Sequence, residues 1–241
     1  TNIDSEIQQS NIYSSQLLSD GSIALGSISN GIFILSNEGK LIYHITQNSG
    51  LSNNTALSLF EDIDKNLWIG LDNGINCINL KSPIKSYLDN TGILGTTYAS
   101  ITHNNKLYIG TNQGLFCKDL NSASKFEFVQ NTKGQVWSLY SYQNTLFCGH
   151  NAGTFLIQKN QAQLISNQAG TWDLKPFQGR EGWLLQGNYS GFSVLHKENN
   201  RWTFHHALAG LPTISCRYFE WINEQELVVN HEYKGVFKVK V

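Results

Sequence analysis

Hydrophobic and polar residues alternate in short runs along nearly the whole chain, and the runs recur in groups of four. In the clearest group, Ala56-Leu-Ser-Leu-Phe60 alternates with the period of a β-strand, and the polar turn Glu61-Asp-Ile-Asp-Lys-Asn66 follows it. A second run, Leu67-Trp-Ile-Gly70, enters a loop that ends at Gly74. A third, Ile75-Asn-Cys-Ile-Asn-Leu80, and a looser fourth, Ile84-Lys-Ser-Tyr-Leu88, complete the group. The second run and its glycine loop return at 106–114, 145–153 and 182–191, with weaker copies at 22–31 and 226–235. The closing glycines Gly31, Gly74, Gly114, Gly153, Gly191 and Gly235 lie 43, 40, 39, 38 and 44 residues apart.

Four short antiparallel strands per repeat of about 40 residues describe one blade of a β-propeller. The pattern therefore predicts an all-β chain: a single propeller domain over 1–241, about six four-stranded blades and essentially no helix. The blades fall at 14–47, 56–88, 98–129, 136–167, 171–208 and 217–241. The last has only three runs. Within 1–13, the segment Ile3 to Gln8 is expected to supply its outer strand and close the ring; the alternative is part of a seven-bladed or tandem propeller.

Composition narrows the function classes. Seventeen basic against 18 acidic residues leave a net charge of -1, so no basic face is available to displace counterions from nucleic acid. No apolar run approaches the roughly 20 residues that span a bilayer, and membrane insertion is not expected of this chain. The first residues carry no signal-peptide pattern. Cys77, Cys117, Cys148 and Cys216 include no CxxC pair, which argues against a zinc ribbon and for buried, unpaired thiols.

The stretch from Gly50-Leu-Ser52 through Glu61-Asp62 and Asn66-Leu-Trp-Ile-Gly70 to Gly74 closely resembles the two-component regulator propeller repeat. The third and fourth groups keep the Ile-Gly-Thr-Asn-Gln-Gly or Cys-Gly-His-Asn-Ala-Gly core but lose the acidic turn; the fifth and sixth diverge. The resemblance implies the extracytoplasmic sensor region of a hybrid histidine kinase or helix-turn-helix regulator of Bacteroidetes-type bacteria, often followed by a triple-tyrosine domain. The endings 186–191 and 230–237 look most like the transcription-regulator branch. It further implies a periplasmic portion of an inner-membrane protein, linked to polysaccharide use. The partners would be other domains of the same regulator, an oligosaccharide ligand and a second copy in a homodimer. No kinase, receiver or DNA-binding segment occurs in the sequence. The family's motif residues are structural, so no binding site carries over from it.

Candidate ligand groups come instead from the loops between second and third strands, which a propeller gathers on one face. His150, Asn151, Asn188, Tyr189, His231, Glu232 and Tyr233, with Trp172 nearby, form the richest arc of large polar groups. Asp72, Asn73, Thr111 to Gln113 and Lys234 occupy matching places. The plainer account is that Asn and Asp sit in tight turns and cap their own backbone. His150 and His231 resist it, because Leu71, Thr111 and Asn188 show that other residues are accepted there. Trp137 and Trp172 start first strands in matching positions, where they stack on a sugar ring or pack between blades.

Gln16, Ser58, Ser100, Ser138, Asp173 and Glu220 are read as one polar column of the inner strands. Its two acids suit glycoside hydrolysis if correctly spaced; a solvated channel lining is the alternative. Asp62-Ile-Asp64-Lys-Asn66 lacks the glycine and glutamate of a calcium loop and is read as a hairpin. Arg180, Arg201 and Arg217 do not converge as a sialidase would need. No Ser/His/Asp set, phosphate loop or metal-ligand spacing appears, so neither cofactor, metal nor catalysis is expected. Three functions follow: a non-enzymatic sensor, an interaction propeller that dimerises sensors, and a glycan-active enzyme using Asp173 and Glu220.

Overall fold

The computed structural model describes residues 2–83, 89, 92–120, 125–231 and 233–241. It divides into two compact units, Thr1–Asn90 and Thr91–Val241. The strands form six antiparallel sheets of three or four, each meandering in sequence order.

In the first unit, β1 (Ile12–Leu17), β2 (Ile23–Ser27), β3 (Ile32–Leu35) and β4 (Leu41–Ile45) make one sheet. Strands β5 (Ala56–Glu61), β6 (Asn66–Leu71) and β7 (Ile75–Asn79) make the next. The fourth strand expected at 84–88 lies outside the described residues. Leu18, Ile32, Ile34, Leu67 and Ile69 fill the seam between these two sheets. The exposed Cys77 corrects the expectation of four buried thiols; it lies on the side of β7 that this seam does not use, whereas Cys117, Cys148 and Cys216 are buried and free.

The second unit holds four sheets. The third is β8 (Thr97–His103), β9 (Lys106–Thr111), β10 (Leu115–Asp119) and β11 (Glu127–Phe128). The fourth is β12 (Val136–Tyr142), β13 (Thr145–His150), β14 (Gly153–Gln158) and β15 (Gln161–Ser166). The fifth is β16 (Asp173–Pro176), β17 (Trp183–Asn188), β18 (Gly191–Glu198) and β19 (Arg201–Ala207). The sixth has three strands, β20 (Tyr218–Trp221), β21 (Glu226–His231) and β22 (Gly235–Lys240). Apolar side chains close each seam: Leu115 with Leu146 and Cys148, Phe147 with Leu184 and Trp202, and Leu185 with Phe219 and Val229.

The expected closing strand is instead a helix, α1 (Asn2–Gln9), and the sixth sheet keeps three strands. Ile3 and Ile7 are four apart, the spacing of one helical face rather than of a strand. Ser10 Oγ donates to the Glu6 carbonyl at 2.6 Å, and Asn11 at φ 49° ends the helix in the left-handed region.

Asparagine is spent largely on turns. The hairpins at Asn104-Asn105, Gln143-Asn144, Lys159-Asn160 and Asn199-Asn200 each place two consecutive residues at φ between 46° and 61°. This is the two-residue turn whose twist matches that of the flanking strands.

Four of the six inner strands carry the same irregularity. Their register against the second strand slips after the first residue, leaving Tyr13, Leu57, Tyr98 and Trp137 as the extra, unpaired residues of β1, β5, β8 and β12. The next residue then faces the first glycine of the repeat. At Gly149 an added Cβ would meet the Ser138 hydroxyl, so the glycine is where the inner-strand side chain fits.

Candidate functional site

Four of the loops between second and third strands begin with a residue whose side chain caps its own turn. Ser27 Oγ accepts from Asn30 N–H at 2.9 Å, and Thr111 Oγ1 from Gln113 N–H at 3.0 Å. His150 Nδ1 does the same for Ala152 N–H at 3.0 Å, and His231 Nδ1 for Tyr233 N–H at 3.1 Å. The two histidines thus perform the turn-closing task of a serine or threonine, which the sequence reading credited only to Asn and Asp.

His150 is 3% exposed, packed edge-on to Phe155 at 5.2 Å and beneath Gly134. Its Nε2 closes no hydrogen bond of good geometry. Burial pushes the imidazole below its ordinary pKa, and the backbone of Thr132 and Lys133 offsets only part of this. Its neighbour Asn151 ties the loop to the entry of its own sheet: Oδ1 accepts from Gln135 N–H at 2.9 Å, as Asn112 Oδ1 does from Thr96 N–H at 2.8 Å.

Asn188 is also inside, at 5% exposure. It belongs to a closed network across the seam between the fourth and fifth sheets. Gln186 Nε2 donates to Ser193 Oγ at 2.6 Å and Ser166 Oγ at 3.2 Å, while its Oε1 accepts from Thr154 Oγ1 at 2.8 Å. Ser193 Oγ donates to Asn188 Oδ1 at 2.5 Å, and Asn188 Nδ2 donates to Thr171 Oγ1 and the Gln168 carbonyl, both at 3.3 Å. Each of these side chains is buried and partnered. His150 and Asn188, expected among the ligand groups, are both buried in this structure.

Two predicted residues do meet at the surface. The rings of Trp172 and Tyr189 lie 5.1 Å apart, and Trp137 Nε1 donates to Tyr189 Oη at 2.8 Å. Trp172 extends the row of displaced residues, since it precedes β16 and donates its backbone N–H to the Gly187 carbonyl at 2.8 Å. The row runs from Tyr98 to Trp137 (4.9 Å) to Trp172 (4.8 Å) to the guanidinium of Arg217 (4.7 Å) to Tyr218 (5.1 Å). Trp172 Nε1 is held by Ser215 Oγ at 3.1 Å. Tyr98 is the bulge residue of β8, as Trp137 is of β12, and was not among the candidate ligand groups.

His231 and Tyr233 sit on the loop of the sixth sheet with their rings 6.3 Å apart, and Tyr233 is 90% exposed. Glu232 lies outside the described residues.

The expected polar column is out of register. Facing the glycine position of each repeat are Ser14, Ser58, Ala99, Ser138, Asp173 and Tyr218. Gln16 and Glu220 stand two residues further along, and Ser100 points to the other face. Asp173 and Glu220 are bridged by one ammonium: Lys175 Nζ lies 2.8 Å from Glu220 Oε2 and 3.7 Å from Asp173 Oδ2. Burial raises the Asp173 pKa, with Lys175 opposing it, while the bond from Lys175 lowers that of Glu220. Burial disfavours the Lys175 charge, yet its two carboxylates outweigh this and raise its pKa. A hollow of about 420 Å³ opens beside this triad, lined also by Tyr218, Val228 and Asn230. Among the described residues, no group of three or more His, Cys, Asp or Glu could hold a metal ion, and no helix is long and apolar enough to cross a membrane.

Six meandering antiparallel sheets with bulged inner strands and glycine-ended loops constitute a β-propeller fold. Residues 50–73 match the sequence profile described as two component regulator propeller, so the chain carries the repeat of that family. In fold it is similar to an extracellular domain from B. thetaiotaomicron described as the hybrid two component system BT3049. That match has 19% identity and a TM-score of 0.66, over 95% of this chain and 33% of the other. It is also similar to the extracellular domain of BT4673 from the same organism, at 17% identity and a TM-score of 0.52, over 95% of this chain and 36% of the other. The chain thus spans about a third of the length of these domains. No curated protein matches the sequence.

Proposed function

We propose that this chain is a ligand-binding sensor region of a membrane-spanning signalling or transcriptional regulator, held on the periplasmic side and responsive to a glycan. The observation that carries the reading is the regulator-propeller repeat at 50–73, a module whose scaffold holds variable loops while other domains act on the result. The loop side supports a hydroxyl-rich ligand, because Asn151, Tyr189 and Tyr233 offer amide and phenol groups there with little net charge. The region works by binding rather than turnover. Lys175 bridges Asp173 and Glu220, the two carboxylates of the enzymatic alternative, into an ion-paired cluster.

Thermal-shift measurements on the 241-residue chain against a panel of oligosaccharides test the proposal, since a ligand bound only by the folded state raises its stability. At least one oligosaccharide is expected to raise Tm in a concentration-dependent way. A flat response across neutral and acidic glycans would remove the glycan from the reading.

A further inference from the structure

We propose that the row Tyr98, Trp137, Trp172 and Tyr218, flanked by Tyr189, is a stacking platform for a neutral oligosaccharide laid along it. This rests on the glycan-responsive reading above and assigns it a site. The bulges of β8 and β12 lift Tyr98 and Trp137 out of the ladder and re-aim them, Trp172 stands at the matching place before β16, and Tyr218, paired with Asn230, ends the row. The fold sets that position without choosing its residue, because β5 places Leu57 there. Aromatic residues in three consecutive sheets of the second unit are thus an addition to what the fold requires.

The rings are also pre-positioned. Tyr189 Oη and Ser215 Oγ occupy the two indole N–H groups at 2.8 and 3.1 Å, which fixes the planes of Trp137 and Trp172. Tyr189 is seated in turn against Gly170, at φ 73°, where any Cβ would run into its ring. A site built this way loses little side-chain entropy on binding.

Shape and polarity select the ligand class. Tyr98, Tyr189 and Tyr218 are 44%, 38% and 56% exposed, so the row is a shallow strip. A small apolar molecule needs most of its surface enclosed, which such a strip does not provide. A chain of pyranose rings has apolar faces for the aromatic planes and hydroxyl edges for the phenols beside them. No carboxylate or amine belongs to the row itself, and the Asp173–Lys175–Glu220 cluster adjoins it at Tyr218. The row's one cation, Arg217, stacks over the rings of Trp172 and Tyr218 and links them.

The test uses the whole 241-residue chain and neutral gluco-, manno- and galacto-oligosaccharides, with acidic polysaccharides alongside, measured by calorimetry and tryptophan emission. Trp137→Leu combined with Trp172→Leu copies the residue that the fold already accepts at Leu57, and Trp137→Phe with Trp172→Phe retains the ring faces. A neutral oligosaccharide is expected to bind and perturb the emission, with affinity falling at least about tenfold in the Leu pair and holding within about threefold in the Phe pair. Unchanged affinity in the folded Leu pair, or binding of acidic polysaccharides alone, overturns the platform and leaves the glycan reading standing. Absence of binding by any glycan to the unaltered chain overturns both.

Discussion

Trp137 and Tyr189 are 52 residues apart in sequence, yet the indole N–H of the first donates to the phenol oxygen of the second at 2.8 Å. The bond joins the displaced residue of β12 to the loop after β17, so it crosses from the fourth sheet to the fifth. Tyr189→Phe should remove that acceptor and cost about 1 kcal/mol. Gly170→Ala should cost more, because it meets both the left-handed φ and the ring of Tyr189. Urea denaturation of the two variants reads the difference.

The depressed pKa of His150 has a defined pH signature. Above about pH 6.5, the ordinary imidazole pKa, folded and unfolded chains both hold it neutral and its contribution is complete. As pH falls from there through the lower folded-state pKa, the unfolded chain binds a proton that the folded chain resists, and stability is lost. His150→Thr keeps an acceptor for the Ala152 N–H, as Thr111 does for Gln113, and lacks the titrating group. Its stability should decline less than that of the unaltered chain between pH 6.5 and 5, measured by denaturation at each pH.

Gln186→Leu should destabilise by about 2–4 kcal/mol although the replacement is apolar and similar in size. It removes one hydrogen-bond partner each from Thr154, Ser166 and Ser193 in a buried seam. If equilibrium unfolding instead found the variant as stable as the parent, the network would be dispensable.

Lys175→Met should drive the Asp173 pKa further upward, since it removes the charge opposing burial, and should release Glu220 toward its ordinary value. Carboxyl titration by NMR checks both directions at once.

At the hairpin Asn199-Asn200, φ is 48° and 61°. Asn200→Val should cost about 1–2 kcal/mol, because a β-branched residue resists that conformation, whereas Asn200→Gly should be neutral or slightly stabilising. Thermal unfolding distinguishes the two.

The sheets were legible because the glycines and the alternating runs return at a constant period, and no tertiary information is needed to see it. What lay beyond the sequence was set by single residues. One extra residue after Ile12, Ala56, Thr97 and Val136 shifts every later side chain by one place. Counting along plain strands therefore selects Ser100 where Ala99 faces the glycine. The histidines misled for a related reason: an imidazole nitrogen closes a turn as a threonine oxygen does, and residue type alone does not reveal which way it points. The segment 2–9 was read by its place at the end of the repeat array, whereas its local spacing of Ile3 and Ile7 favoured a helix.

The seams of the second unit differ in thermal character. Exposing apolar surface raises heat capacity and exposing polar surface lowers it, so seams closed by side chains such as Leu115, Leu146, Phe219 and Val229 lose strength on cooling. Gln186, Asn188, Thr154 and Ser193 give the seam between the fourth and fifth sheets a polar share that works in the opposite sense. In a repeat fold each sheet leans chiefly on its neighbours. The seam between the fourth and fifth sheets, which joins this network to the apolar cluster of Phe147, Leu184 and Trp202, is therefore expected to weaken less on cooling than its more uniformly apolar neighbours.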